Sequence, residues 1–409
     1  MMTLLARAIA SGLLAFVILC LGYLYALAFA SIRKPRPRSP AQPVHRFAVT
    51  IPAHNEEATI GRTVTRLLAQ DYPADCFDVF VVADNCTDAT AEVARRAGAI
   101  ALERRNLEQR GKGYALAWLF DAVLAREPRY DAVVVFDADT VVDPAFLRVM
   151  DAWLQEGHTV IQGQHVIANP ADGWFTAIMY IAFVMDNRLR NLGRSNLGLS
   201  SKLMGDAMCF ARGVLEQYPW SASSLTEDAE YRAHLLQHNI RVFFAPDARA
   251  YGEMVNNLSA ARHQRARWMH GRAEVTKKLA PRLFKTGLRN RSWAQVDGAI
   301  EQWMPSFSSL GVIAALNTGL IAAVSWFTAH PLPWPWLAAL WIGLLAYAPL
   351  GLLLERAPLK VYLSLPVAPF YALWRTMLRL RVRAQRNTNV WVRTPRSTEA
   401  APIVAEVTQ

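Results

Sequence analysis

Two acidic residues separated by one position follow the apolar run 133–136. The carboxylates of Asp137 and Asp139, placed at the end of a buried strand, can converge on a hard divalent cation. Mg²⁺ or Mn²⁺ held there would bridge to a diphosphate and stabilise the charge of a leaving group. The pair therefore predicts a metal site, although Asp-x-Asp also occurs by chance in loops.

Other polar groups stand where a strand would end or a turn would form. Asp84 closes the apolar run 77–84, where its carboxylate can accept a hydrogen bond from a base N–H or a ribose hydroxyl. Lys112 stands between two glycines, which allow close backbone approach to a phosphate while the lysine supplies a point charge. The structural alternatives are a helix cap at Thr87 or Asp88 and a simple surface turn around Lys112.

The second half of the chain carries two further motifs, Thr226-Glu227-Asp228 and Gln264-x-x-Arg267-Trp268. The second motif has the spacing of residues that share one helix face. Acids at 227 and 228 would also suit the start of a helix. The alternative for the second motif is a basic helix at the membrane interface, anchored by its tryptophan. The basic residues that would then face lipid headgroups are Arg262, Arg265 and Arg272.

The elements that must position these residues alternate between apolar strands and helices. The predicted strands are 47–52, 77–84 and 132–136, and the predicted helices are 56–70, 89–97 and 111–125. This alternation predicts an open, mainly parallel α/β sheet of Rossmann type, on which ligands bind at the carboxyl ends of strands. The later predicted elements are helices at 173–185, 227–237 and 259–278 and a strand at 241–245.

Apolar segments at 4–30, 303–329 and 334–354 are long enough to cross a bilayer. The chain is 53% hydrophobic and 19% charged, with a net charge of +11. Its basic residues crowd beside the apolar segments, which favours a cytoplasmic, anionic lipid surface over nucleic acid as their partner. Only Arg7 precedes the first segment and four basic residues follow it, which predicts an N-terminus outside the cell.

The predicted division of the chain has six parts. They are a signal anchor at 1–32, a basic proline-rich linker at 33–45, a cytoplasmic domain at 46–300, two membrane helices at 301–356, a re-entrant or interfacial segment at 357–378, and a basic cytoplasmic tail at 379–409. A full span at 357–378, with the tail outside, is the alternative. The four cysteines show no metal spacing and are expected to be reduced thiols.

Taken together and in this order, the motifs resemble those of membrane-bound family 2 glycosyltransferases over roughly residues 45 to 275. The resemblance includes the synthases of cellulose, chitin, hyaluronan and poly-N-acetylglucosamine. It implies a cytoplasmic GT-A domain with flanking transmembrane helices and inverting, metal-dependent transfer from a UDP-sugar. It also implies that Asp228 is the general base, and no separate nucleophile is expected.

The resemblance assigns the remaining roles residue by residue. The residues implied to bind the donor nucleotide and diphosphate are Pro52, Ala53, Glu56, Asp84, Lys112, Asp137, Arg267, Thr394 and Arg396. Those implied on the acceptor side are Asp206, Glu227, Gln264 and Trp268, and Asp137 and Asp139 would hold the metal. His54 departs from the tyrosine common in the family. Asn55 could instead cap a helix, and residues 391–396 could form a basic tail in place of a nucleotide gate.

The expected reaction is extension of a saccharide at the inner membrane of a bacterium, for an exopolysaccharide or envelope glycan. Few spans follow the catalytic domain, so an oligomer or an export partner would have to complete a channel. One alternative is a single transfer to a lipid or lipid-linked acceptor. The other is a membrane protein that binds nucleotide-sugars without catalysis, and binding to nucleic acid is not expected.

Overall fold

A computed structural model describes residues 2–37, 42–221, 224–254, 258–329 and 331–384. Eight strands form one sheet. Their bounds are β1 Phe47–Ala53, β2 Phe77–Asp84, β3 Ile100–Arg104, β4 Ala132–Val135, β5 Val141–Val142, β6 Val160–Ile167, β7 Met208–Ala211 and β8 Phe243–Gly252.

Fifteen α-helices lie in the described ranges. The first eight are α1 Met2–Ala30, α2 Ile60–Leu68, α3 Thr90–Arg96, α4 Lys112–Leu124, α5 Phe146–Gln155, α6 Trp174–Val184, α7 Leu192–Asn196 and α8 Arg212–Gln217. The others are α9 Glu227–Gln237, α10 Leu258–Arg289, α11 Trp293–Trp303, α12 Phe307–Thr328, α13 Trp334–Glu355, α14 Leu359–Tyr362 and α15 Ala368–Ala384. A π-helical segment, Met185–Asn191, joins α6 to α7, and 3₁₀ turns lie at Ala74–Cys76 and Leu365–Val367.

The sheet order is β3-β2-β1-β4-β7-β6-β8-β5. The pairs β1–β2, β2–β3, β1–β4 and β6–β8 are parallel, whereas β7 and β5 join antiparallel. The order reverses direction between β1 and β4, which opens the crevice where sheets of this class bind ligands. The mostly parallel mixed sheet of Rossmann type is thus confirmed.

The central strands are apolar on both faces because helices cover both sides of the sheet. On one face α2, α3 and α5 pack through residues such as Ile60, Ala94 and Trp153. On the other, α4 and α9 contribute Phe120 and Tyr231. This double cover leaves only the strand ends and their loops free to carry polar functional groups.

Three helices in the described residues, α1, α12 and α13, are long and apolar enough to cross a membrane. They flank the α/β domain as predicted and share an apolar core with α6 and the π-helical segment. Residues 359–384, which follow α13, form α14, a 3₁₀ turn and α15. The membrane position of this segment and the six domain boundaries stay predictions.

Several local predictions were wrong. The predicted helix at 56–70 begins only at Ile60, and Asn55 has a left-handed backbone (φ 56°) instead of capping it. β3, β5, β6 and β7 were not predicted, because each depends on pairing with distant strands. β8 extends to Gly252, beyond the predicted 241–245, because its second half pairs with β6. The four cysteines are free thiols.

Candidate active site

The loops after β1 and β2 are tied together by side chains. The Asn55 amide oxygen accepts the Thr87 N–H at 2.8 Å, and the Glu57 carboxylate accepts the Ala89 N–H at 3.0 Å. In return, Asp88 accepts the Glu57 N–H at 3.2 Å. These reciprocal bonds hold the turn that follows β1 against the end of β2, so that both strand ends present their loops at one edge of the sheet.

Asp84 ends β2 as a buried carboxylate whose Oδ1 accepts a hydrogen bond from Arg104 at 2.6 Å. Its Oδ2 accepts no hydrogen bond from the residues that the structure describes, which leaves it for a ligand. The His54 ring nitrogen Nδ1 donates a hydrogen bond to the backbone carbonyl of Asp84 at 2.7 Å. Glu56 is also buried, and its carboxylate accepts the Thr59 hydroxyl at 3.0 Å.

Lys112 is the first residue of α4 and reaches across to the end of β4. Its Nζ donates to Asp137 Oδ1 at 2.5 Å and to the Gly205 carbonyl at 2.5 Å. Burial opposes the charge on this lysine, but Asp137 and Glu227 outweigh it and raise the pKa of Lys112 above its usual value. The side chain therefore stays cationic beside a carboxylate that is 44% exposed.

Asp206 lies beneath Asp137 and is 2% exposed. Its carboxylate accepts the Asp137 N–H at 3.1 Å and the Thr140 hydroxyl at 3.0 Å, and it pairs with His165 Nδ1 at 2.7 Å. Burial opposes charge on both groups, but their mutual hydrogen bond lowers the pKa of Asp206 and raises that of His165. The described geometry gives Asp206 the role of fixing the turn that carries Asp137.

Glu227 and Asp228 lie in the first turn of α9, and Asp228 lies beside Gly205, as Lys112 does. A Cβ on Gly205 would lie 3.5 Å from Lys112 Nζ and 3.7 Å from Asp228 Oδ2, and its φ is +80°. Glycine suits this position because it permits both the backbone and the close approach. Burial raises the pKa of Asp228, and burial with the Asp228 charge raises that of Glu227 to about 7, while Lys112 acts to lower both.

The long helix α10 closes the site from the other side. Its Gly271 lies so close to Thr226, the residue before α9, that a Cβ on Gly271 would lie 2.8 Å from Thr226 Cγ2. Burial lowers the pKa of Arg267, while Glu227 and Asp137 act to raise it, so this guanidinium lies near both carboxylates. Trp268 lies 5.0 Å from the Arg265 guanidinium, measured to the ring centroid.

The alternative in which Arg262, Arg265 and Arg272 face lipid headgroups stays a prediction, and the three side chains differ in their surroundings. Arg272 donates to Glu301 Oε1 at 2.9 Å, because the buried Glu301 needs cationic partners. Arg265 turns inward over Trp268. Arg262 is exposed, as expected for a residue at the surface.

Most of the predicted site residues gather in two neighbouring groups. Pro52 and Ala53, at the end of β1, lie with Glu56 and Asp84. The second group comprises Lys112, Asp137, Asp206, Glu227, Asp228 and Arg267. Asp139 lies close enough to His165 to act on its pKa. The side chain of Gln264, which is in α10, and all of Thr394 and Arg396 lie outside the described residues.

The residues at the end of β4 fit a divalent cation. In the described ranges no group of three His, Cys, Asp or Glu side chains is placed to hold a metal. Mg²⁺, however, is commonly held by one or two carboxylates together with substrate phosphates. Asp137 pairs with Lys112 through Oδ1, but its side chain is 44% exposed. Its carboxylate is therefore accessible to a cation from solvent.

Two residues that shape the site were not anticipated. Arg104 neutralises Asp84, and His165 pairs with Asp206. Each lies at or near the end of a strand, β3 or β6, that the sequence pattern did not reveal. Recognising the apolar runs at 100–102 and 160–161 as strands would have pointed to both side chains.

Comparison with known proteins gives the same assignment as the motifs. The sequence profile described as "Glycosyltransferase like family 2" matches residues 45–271, more than half of the chain. The β-monoglucosyldiacylglycerol synthase of Synechocystis is 30% identical over 238 residues, which cover 56% of this chain and 48% of that protein. Cellulose synthase 2 of Novacetimonas hansenii is 27% identical over 307 residues, 70% of this chain and 18% of that protein.

The chain thus spans about half the length of the cyanobacterial relatives it matches. Among solved structures, the mannosyltransferase PcManGT from Pyrobaculum calidifontis superposes with a TM-score of 0.52 at 20% identity, covering 85% of this chain and 98% of that one. That likeness supports the GT-A fold. With the profile match and the carboxylates at the strand ends, it follows that this chain belongs to glycosyltransferase family 2.

Proposed function

We propose that this protein transfers a sugar, with inversion, from a UDP-sugar to an acceptor hydroxyl at the cytoplasmic face of a membrane. The observation that carries the proposal is the gap beside Gly205, where an added Cβ would lie 3.5 Å from Lys112 Nζ, which also bonds Asp137, and 3.7 Å from Asp228 Oδ2. One side of this gap is cationic and suits a diphosphate. The other offers a carboxylate to an incoming hydroxyl.

The donor side divides into two parts. Pro52, Ala53, Glu56 and Asp84 would receive the nucleoside, with Asp84 Oδ2 as acceptor for a base N–H or ribose hydroxyl. Lys112 and Arg267 would pair with the diphosphate oxygens. Asp137 and Asp139 would hold Mg²⁺ or Mn²⁺, which supplies charge stabilisation for the diphosphate leaving group.

Asp228 would act on the acceptor. As the hydroxyl oxygen forms its bond to the anomeric carbon, the bond from that carbon to the diphosphate breaks, and the proton passes to the Asp228 carboxylate. Attack from the face opposite the nucleotide inverts the anomeric centre, so no covalent intermediate forms. Trp268, at the same end of the site, would pack against an acceptor sugar or the lipid that carries the hydroxyl.

The packing of the membrane helices favours a lipid acceptor. Within the described residues, apolar side chains such as Leu21, Leu310 and Leu344 pack between α1, α12 and α13. A cavity of about 640 Å³ also lies between these helices, and its lining is mostly apolar, including Leu14 and Ile321. A growing hydrophilic chain would need a polar passage, whereas a lipid could approach sideways from the bilayer. The cyanobacterial relatives are named as synthases of a glucosylated diacylglycerol, which agrees with this choice.

Extension of a saccharide is the second candidate. The match to a cellulose synthase favours it, as does Trp268, which directly follows Arg267 on α10 and could pack against a sugar ring. Because the cavity between the membrane helices is lined mostly by apolar residues, such a product would leave through an oligomer or an export partner. In both cases the protein would be a multi-pass inner-membrane enzyme of a bacterium, with its N-terminus outside and its catalytic domain in the cytoplasm.

The test is transfer by membranes that contain the protein, across a panel of UDP-sugars with Mn²⁺ or Mg²⁺. Asp228→Asn should lower turnover by about 10²- to 10⁴-fold, and Asp139→Ala should abolish the metal-dependent rate. Asp121→Asn, an exposed change on α4, is the matched control. A single glycolipid product would establish the lipid acceptor, and a polymer ladder would establish extension. Full activity of Asp228→Asn would reject the proposed base.

A further inference from the structure

Three polar side chains meet between α10 and α15 with atoms that lack partners. Arg265 comes from α10, and Tyr371 and Arg375 lie one turn apart on α15. Arg265 Nε, Tyr371 Oη and Arg375 Nε are all buried, and none has a hydrogen-bond partner among the described residues. Tyr371 as a whole is 5% exposed, so its hydroxyl points into the protein rather than to bulk solvent.

The charge at this cluster is not neutralised by the protein. Across the part of the chain that the structure describes, Arg265 and Arg375 form no ion pair, although Arg265 also contacts the Met179 sulfur. Asp186, the carboxylate that acts on Arg265, is already paired with Arg190 at 2.8 Å. Burial lowers the pKa of the Arg265 guanidinium, and the charge of Arg375 acts in the same direction.

Other buried arginines of this protein have a carboxylate partner, which this cluster lacks among the described residues, although Arg190 and Arg194 also have guanidinium atoms without a hydrogen-bond partner there. Arg194 pairs with Asp297 at 3.0 Å, and Arg232 pairs with Glu301 at 3.0 Å. Two half-buried arginines whose charges act on each other without a carboxylate repel, and their unpaired, buried Nε–H groups are costly. An anion that accepts from both arginines and from the tyrosine would remove both penalties.

The position of the cluster identifies the kind of anion. Arg375 Nη1 lies 3.4 Å from the hydroxyl of Ser308, in the first turn of α12. Because α12 is a candidate membrane span that begins at Phe307, this is the depth at which lipid headgroups lie. The positive end of the α12 dipole adds to the attraction for an anion.

We infer that Arg265, Tyr371 and Arg375 bind the phosphate of an anionic membrane lipid. The two guanidinium groups would donate to the phosphate oxygens, and the tyrosine hydroxyl would donate a third hydrogen bond. Since Arg265 stacks on Trp268, a lipid held here would lie beside the acceptor side of the catalytic site. The inference concerns lipid binding and stands or falls separately from the identity of the sugar.

The test is binding of phosphatidylglycerol to the purified full-length protein in detergent, without a nucleotide-sugar, followed by native mass spectrometry. Arg265→Gln and Arg375→Gln should each weaken binding by about tenfold or more, and Tyr371→Phe by a few-fold. The matched controls are Arg282→Gln and Arg381→Gln, exposed arginines of the same two helices. Diacylglycerol, which lacks a phosphate, should show no dependence on these side chains.

Unchanged phosphatidylglycerol binding in the cluster variants would overturn the inference, as would equal losses in the two control variants. Inorganic phosphate or glycerol 3-phosphate competing at the concentration of the lipid itself would assign the site to a soluble phosphate instead. If an arginine variant fails to fold by thermal unfolding, Tyr371→Phe decides, because it keeps the charge and shape. A protein that binds the lipid but transfers no sugar would reject the proposed function alone.

Discussion

The ammonium group of Lys112 is shared between Asp137 and the Gly205 carbonyl, and its charge acts on Glu227 and Asp228. Burial raises the pKa of both carboxyl groups, and the lysine partly offsets that rise. A general base must be deprotonated to accept a proton. In the proposed reaction, Lys112 would therefore serve the acceptor side as well as the donor phosphates.

Replacing this lysine by glutamine should change the pH dependence of the reaction. Without the cation, the pKa of Asp228 rises, so the acidic limb of the kcat/KM profile should move to higher pH by about one unit. The donor KM should also rise, since a phosphate contact is lost. Lys277→Gln, an exposed change on α10, should leave both unchanged. A weaker donor KM with an unmoved acidic limb would show that Lys112 does not influence the base.

Asp206→Asn separates a positioning role from contact with sugar. An amide cannot pair with a protonated His165 while also accepting from Asp137 and Thr140, so the Asp137 turn should loosen. Residues that orient metal ligands typically contribute about 10- to 100-fold in metal affinity. The Mn²⁺ concentration for half-maximal activity should rise accordingly, with a smaller rise in Thr140→Val. A change in acceptor KM alone would instead support the sugar contact implied by the family resemblance.

At the scale of elements, α10 approaches the start of α9, where the proposed base Asp228 lies. Gly271 makes this possible, because any Cβ there would collide with Thr226. The same helix brings Arg267 towards Glu227 and Asp137. The contact between α10 and α9 thus sets the width of the acceptor side.

Gly271→Ala should lower activity by separating these two helices. Overpacking of this kind costs about 1–3 kcal/mol, and part of the cost will appear as displacement of Asp228. The comparison is Gly213→Ala on α8, where an added Cβ would meet nothing within 4 Å. The measurement is kcat/KM together with the midpoint of thermal unfolding. Wild-type activity in Gly271→Ala would mean that α10 can move without moving the base.

The elements that are best predicted from the sequence are those defined by a pattern of neighbouring residues. The strands β1, β2 and β4 are mainly apolar runs, and α9 begins and ends where its pattern indicated. Local patterns could not reveal β7, whose four residues are held by pairing on both edges. Nor could they show that Asp206 lies beneath Asp137, because that contact joins residues 69 positions apart.

At the scale of the whole molecule, α1 is built into the catalytic domain. Tyr23 donates to Asp297 at 2.7 Å and accepts from Arg194 at 2.8 Å. Gly193 packs against the backbone of Leu27, where a Cβ would have no room. The Asn196 side-chain amide donates to the carbonyls of Ala30, the last residue of α1, and of Arg33, just beyond it. The first membrane helix therefore stabilises the domain as well as anchoring it.

The buried pair of Arg194 and Asp297 provides the sharpest test of this coupling. Arg194→Met leaves Asp297 buried without its cation, which should destabilise the protein by about 3–5 kcal/mol. Adding Asp297→Leu removes the stranded charge, so the double variant should regain much of the loss. Tyr23→Phe should cost less, since it removes one hydroxyl and no charge.

Thermal unfolding in detergent compares the stability of the wild-type protein with that of the three variants. Hydrolysis of the donor in the absence of an acceptor reports on the catalytic domain. If α1 and the domain unfold as one unit, Arg194→Met should lower the unfolding midpoint and the hydrolysis rate at elevated temperature together. Replacing α1 by an unrelated apolar helix of equal length should do the same, because it restores the anchor but not Tyr23. Full stability of that chimera would show that the helix acts only as an anchor.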